Sequence, residues 1–394
     1  MNQIKSDKIY LDNCKTSRTD PVVLEAMKPY FLQKYWYPGP FTSYGTEISE
    51  DIEKATQIVA ESIGAKPEEI VFTSGGTDSN NIGIKGTAYA NQDNGKHLIT
   101  TIVSHPSVLA IFLDLEESGF DVSYISADKD GFIDLEELKN EIREDTTLVA
   151  ITHINHILGT IQEVKKIREI LDSANHKIYL FTDSCEAYTK IPVDVNELGM
   201  DLMSVSGHKF NGPPGIGFLY CRKGIKIKPI QHGVARFHKL KPGGINIPSI
   251  IGLAKAVEIS FSNFDKQYNK YRKLQNRLIY SIVNNIPKVQ LNGPRGHKRN
   301  PANVNFSFSA VEGEAIMMML DMQNIIVATG SGCSSQSLEP NYVMLQTGHT
   351  HEQANSSIRF TFSRFTTEQD IDKTVLVLTD IIRELRRRSP LWKE

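Results

Sequence analysis

Between residues 70 and 221 the chain repeats one unit: a short run of β-branched and other apolar residues, then a stretch with the spacing of an amphipathic helix. No other feature restricts the fold as much. Strands joined by helical crossovers pair in parallel and must be covered on both faces. The pattern predicts strands at 70–73, 97–101, 122–125, 148–154, 178–182, 202–206 and 215–221. It predicts helices over 81–89, 107–117, 135–142 and 164–174, and an earlier one opened by Asp20-Pro21 and running through Met27 and Phe31. These make an α/β domain with a mainly parallel seven-stranded sheet, assigned to residues 16–250. After about Pro248 the rhythm changes to long helices, with strands at 304–308, 325–328 and 358–362 and a last helix from Thr366. Residues 251–394, joined by residues 1–15, are expected to form a smaller α+β domain.

A chain of 394 residues, 40% of them hydrophobic, can bury the core that two domains need. Its net charge of −2 argues against nucleic acid or a membrane surface as the main partner. The N-terminus has no apolar signal-like region and no run reaches transmembrane length, so a soluble cytoplasmic protein is expected. Cysteines 14, 185, 221 and 333 show neither CxxC nor Cys/His spacing, which predicts no metal site and a reducing compartment.

Three local patterns carry chemistry. Thr73-Ser74-Gly75-Gly76-Thr77-Asp78 follows a strand and opens a helix, where small residues let backbone N–H groups approach an anion. Asp183 ends an apolar strand, where a carboxylate is costly to bury unpaired. A protonated pyridine nitrogen would offset that cost, and an N-cap for the next helix is the plainer alternative. Ser206-Gly207-His208-Lys209 puts a lysine at a strand end beside small residues, before the Gly/Pro-rich loop at 211–215. Alone, such a lysine is ordinarily a solvated surface charge.

In this order, phosphate turn, acidic strand end and strand-end lysine resemble the fold-type I pyridoxal-phosphate enzymes. The finer resemblance is to class V aminotransferase-like proteins, and among them to the group I cysteine desulfurases of the nitrogen-fixation and iron–sulfur-assembly type. Tyr10 to Asn13, Phe72 to Asn81, His105 to Val108, Asn155 to Thr160, Gly330 to Ser335, Ser357 to Phe360 and Arg364 to Glu368 carry it almost end to end. The resemblance implies a Schiff base between pyridoxal phosphate and Lys209, which then shuttles protons at the substrate carbon and should have a depressed pKa. It implies that His105 stacks on the ring and can take part in proton transfer. Gly76, Thr77, Ser206 and His208 should hold the phosphate. Asn155 should contact the ring oxygen or the substrate carboxylate, and Arg359 should clamp that carboxylate.

Cys333 lies in a run of small polar residues unlike a core segment and, by the resemblance, is the nucleophile. It would take sulfur from L-cysteine as a persulfide, release alanine, and deliver the sulfur to an acceptor protein, the chain working as a homodimer.

Several positions depart from the family pattern. Cys14-Lys15-Thr16-Ser17 stands where Asn-Ala-Thr-Thr is usual, Glu186 replaces a glutamine facing the ring's phenolate oxygen, and Arg236 and Gly244 are also unusual. A carboxylate in that place needs a shared proton or a nearby cation such as Arg236 or Lys15. These changes leave open another pyridoxal-phosphate reaction (C–S or selenocysteine lysis, transamination, epimerisation) or a cofactor-binding partner protein with little turnover.

Overall fold

The computed structural model describes residues 8–329 and 340–392. Strand β1 (Ile9–Tyr10) opens the described chain. Then follow β2 (Ile70–Thr73), β3 (His97–Thr101), β4 (Asp121–Ile125), β5 (Thr146–Thr152), β6 (Tyr179–Asp183), β7 (Leu202–Ser206) and β8 (Gly217–Cys221). These last seven form one sheet in the order β2-β8-β7-β6-β5-β3-β4. All pairings are parallel except those of β8, which is antiparallel to both β2 and β7. A parallel sheet is buried on both faces, and the sequence alternates accordingly. Val149, Ile151, Leu180 and Val205 point into one core, while Leu148, Ala150, Phe181 and Leu202 point into the other. Because β8 opposes both neighbours, β2 runs the same way as β7. The C-terminal ends of β2, β3, β5, β6 and β7 therefore share one edge, the edge where open α/β sheets bind ligands.

The second part contains β9 (Val289–Leu291), β10 (Asn303–Phe308), β11 (Ile325–Ile326), β12 (Ala328–Thr329) and β13 (Ser357–Thr361). An antiparallel sheet runs β12-β13-β10-β9, and β1 pairs in parallel with β11. Ile9 and Leu11 join a core built from Phe306, Phe360 and the helices Phe264–Asn285 and Glu368–Arg388. The strand predicted at 325–328 is in fact two short ones. The chain breaks at Val327, and its halves pair with β1 and β13 in different sheets. The predicted helix through Phe31 likewise stops at Met27 and restarts at Pro29. Proline has no N–H to continue the ladder and disfavours helix at the residue before it. Among the described residues no helix is long and apolar enough to cross a membrane.

Candidate active site

At the shared strand edge lies a cavity of about 230 Å³. Its first wall is the turn after β2. Gly75 has φ 145°, a conformation open to glycine and strained for any other residue. The helix that follows starts at Gly76 and passes through a π turn (Asn81–Lys85) into Gly86–Asn91. A Cβ on Gly76 would stand 2.6 Å from Cys185 Sγ, so this close approach also requires glycine. Gly76 and Thr77, in the first turn where N–H groups have no partner within the helix, line the same opening beside Ser206 and His208. Ser206 Oγ and His208 Nδ1 are 3.1 Å apart. Burial, then the charge of Lys209, pushes the His208 pKa down to about 4.

Asp183 terminates β6 with only 5% of its surface exposed. Its carboxylate accepts from Asn80 Nδ2 at 3.2 Å and from the Cys185 backbone N–H at 3.1 Å. Among the described residues no Lys, Arg or His makes an ion pair with it. His105 caps the helix Pro106–Glu117, with Nδ1 2.8 Å from Ser107 Oγ. Its ring meets His156 edge-on at 4.9 Å. Burial holds His105 below the usual histidine range, and Lys209 adds to this against the opposing charge of Asp183.

Lys209 ends the short turn Gly207–Lys209 after β7. Its Nζ lies 3.1 Å from Glu186 Oε1 and donates to the Cys14 carbonyl. The expected depression of its pKa is not found. Burial is the largest single influence and lowers it, but Glu186 together with Cys14 and Cys185 outweighs burial and the net shift is upward. The cation that neutralises Glu186 is thus Lys209 itself, in place of Lys15 or Arg236. Lys15 lines the cavity, whereas the Arg236 guanidinium sits over the Tyr37 ring at 5.2 Å and Gly244 lies on an exposed loop.

Asn155 is also used differently from expectation. Its Nδ2 donates to the Val103 carbonyl, and its Oδ1 accepts from the N–H groups of Ile157 and Leu158. It is 1% exposed and braces the turn after β5 from outside the cavity lining. Arg359, on β13, is buried, bonded to Asp12 Oδ1 at 2.9 Å and to the His156 carbonyl at 3.0 Å. Cys333 falls outside the described residues.

The sequence pattern did not single out Asn80, Ser107 or His156, although all three line the cavity. Asn80 and Ser107 sit inside motifs already quoted. His156 is next to Asn155, and neither of its buried ring nitrogens has a hydrogen-bond partner among the described residues. Cys14 and Cys185 also flank Lys209, Cys14 through the segment that leaves β1.

Residues 9–374 match the family model described as Aminotransferase class-V. The chain is 43% identical over 387 residues to a cysteine desulfurase IscS of Dictyoglomus turgidum, covering 98% of both proteins. It is 41% identical over 388 residues to a human cysteine desulfurase, covering 98% of this chain and 84% of that one. Among solved structures it resembles a NifS-like protein with a TM-score of 0.90 and 31% identity, over 96% of this chain and 100% of the other. It also resembles SspA in complex with cysteine, with a TM-score of 0.79 and 29% identity, over 91% and 100% of the two chains.

Proposed function

The chain belongs to the class-V aminotransferase family and, within it, to the cysteine desulfurases, and on that premise we propose that it takes sulfur from free L-cysteine using pyridoxal phosphate bound at Lys209. The observation that carries the cofactor assignment is Asp183, a buried carboxylate with two hydrogen-bond donors and no ion-pair partner among the described residues. A protonated ring nitrogen supplies the cation that this position calls for. When bound, pyridoxal phosphate provides an electron sink for carbanion chemistry.

Gly76, Thr77, Ser206 and His208 would hold the phosphate through N–H and hydroxyl donors at the start of the helix. His105 would lie against the ring, and Lys209 Nζ would carry the proton to and from the substrate Cα. Arg359 is the guanidinium proposed for the substrate carboxylate, held in place by Asp12 and the His156 carbonyl. Asn155 serves that same clamp indirectly, because it fixes the turn bearing the His156 carbonyl.

The Cys333 thiolate would form an S–S bond to the substrate sulfur as the substrate C–S bond breaks. The bonding pair stays on Cβ, which takes up one proton, so that alanine leaves and a persulfide remains on Cys333. An acceptor protein would then remove that sulfur. A homodimer belongs to the same proposal, supported by the exposed aromatics Tyr35 and Tyr44, which both meet Trp36, and Tyr37, which meets Phe237. So does a reducing, cytoplasmic setting, in which the free thiols of Cys14, Cys185 and Cys221 persist.

Incubation with L-cysteine should yield alanine and added sulfur on Cys333, read by peptide mass spectrometry. Cys333→Ser should still bind the cofactor and yield neither product. Alanine formation by that variant at the wild-type rate would remove Cys333 from the mechanism.

A further inference from the structure

Three groups meet at the cavity wall through contacts that the expected chemistry does not use. Lys209 Nζ stands 3.1 Å from Glu186 Oε1. The Cys14 thiol reaches the same oxygen at 3.2 Å, with the His156 carbonyl as its second acceptor at 3.4 Å. The Lys209 and Glu186 side chains are only 16% and 12% exposed, so water screens the pair little. An ionised carboxylate only accepts hydrogen bonds, and two donors on one oxygen hold it in that form. Burial alone would raise the proton affinity of Glu186, but Lys209 and the Cys14 thiol outweigh it and the net shift is downward. Burial pushes the Cys14 thiol up to about 12, which keeps it a donor at neutral pH.

The other groups around Lys209 offer no comparable partner. Cys185 is a thiol that burial keeps protonated. Burial keeps His105, His156 and His208 neutral. Arg359 is a cation already paired with Asp12. Among the described residues Glu186 is the one carboxylate in ion-pair contact with Lys209.

We propose that Glu186 is the resident counter-ion that holds Lys209 as an ammonium, and that Cys14 holds Glu186 in position. The proposal deepens the preceding function and rests on its assignment of Lys209 as the reactive amine. Before Lys209 attacks a carbonyl carbon, its ammonium gives one proton to water, a loss that the Glu186 charge opposes. The freed lone pair then makes the C–N bond, the two remaining N–H protons pass to the carbonyl oxygen, and it leaves as water as C=N replaces C=O. Glutamine at 186 leaves a buried ammonium without a counter-ion, and such an ammonium gives up its proton more readily.

The test uses the full-length chain purified without cofactor. Formaldehyde with cyanoborohydride methylates free amines, and peptide mass spectrometry reads the rate at Lys209 from pH 6 to 10. Glu186→Gln should displace the whole profile to lower pH by a unit or more, making Lys209 about tenfold more reactive across this range. Cys14→Ala should shift the profile the same way by less, and Cys14→Ser, which retains a donor, should restore the wild-type profile. Coincident profiles for wild type, Glu186→Gln and Cys14→Ala would overturn the proposal. Uptake of pyridoxal phosphate is measured in parallel. A shifted profile without uptake at Lys209 would sustain the counter-ion and overturn the cofactor assignment, and uptake with coincident profiles would do the reverse.

Discussion

Gly76 is where a single atom decides whether the site can form. An added Cβ would come within 2.6 Å of Cys185 Sγ, and the segment bearing Cys185 is anchored by Asp183, which accepts its N–H. Gly76→Ala must therefore displace either the phosphate turn or the wall that holds Asp183. Overpacking of this kind costs about 1–3 kcal/mol. The variant should lose thermal stability by that amount and retain pyridoxal phosphate poorly on gel filtration. Adding Cys185→Ala removes the colliding sulfur and should recover much of both losses. Failure of the double variant to recover either one would mean that the contact is not the cause. At this scale the sequence was partly informative. The glycines, Asp183, His105 and Lys209 stand in recognisable order along the chain. The Lys209–Glu186–Cys14 cluster does not, because it joins three distant segments and no local pattern encodes their meeting.

Elements were legible wherever one period dominated. The strands of the large sheet alternate between two cores, so their positions could be read within about two residues, as β5 and β6 illustrate. The break at Val327 was not legible, since 325–328 is a uniform apolar run and only the partners β1 and β13 divide it. The turn after β5 holds a contact that was not legible for a related reason. Asn155 looks like a ligand-binding amide, yet the main chain of its own turn takes both ends of its side chain. Asn155→Ala should leave the N–H groups of Ile157 and Leu158 unpaired in a buried place, costing about 1–3 kcal/mol for each group left unsatisfied. The displaced His156 carbonyl should then loosen Arg359. Binding of L-cysteine, followed by spectral titration, should weaken more than binding of pyridoxal phosphate. The opposite order would place Asn155 on the cofactor.

Taken whole, the molecule buries histidine to an unusual degree. Burial holds His97, His105, His153, His156, His208, His238 and His349 below the usual range, seven of the eleven, with His153 and His208 at about 4. In the unfolded chain each takes a proton near pH 6.5, whereas the native state resists until lower pH. The unfolded state thus binds more protons in this window, and the stability present above pH 6.5 is lost as the pH falls toward 4. Urea midpoints of the full chain should drop steadily across that range, and His153→Asn should flatten the decline. A midpoint constant from pH 6.5 to 4.5 would contradict the burial of these rings.

The segment from β1 to Ser17 belongs to two places at once. It pairs with β11 at one end and supplies the Cys14 carbonyl and thiol to the cavity at the other. The Cys14 N–H is bonded to Thr361 Oγ1, 347 residues further along the chain. At the roughly 5–20 residues per second of synthesis, that partner emerges about 17 s to more than a minute after Cys14 itself. A segment made early is thus seated late. A nascent chain can lay down the large sheet and present Lys209 and Glu186, but the wall that closes over them waits for β13. The Cys14 side of the cavity thus depends on a strand made long after Lys209 and Glu186.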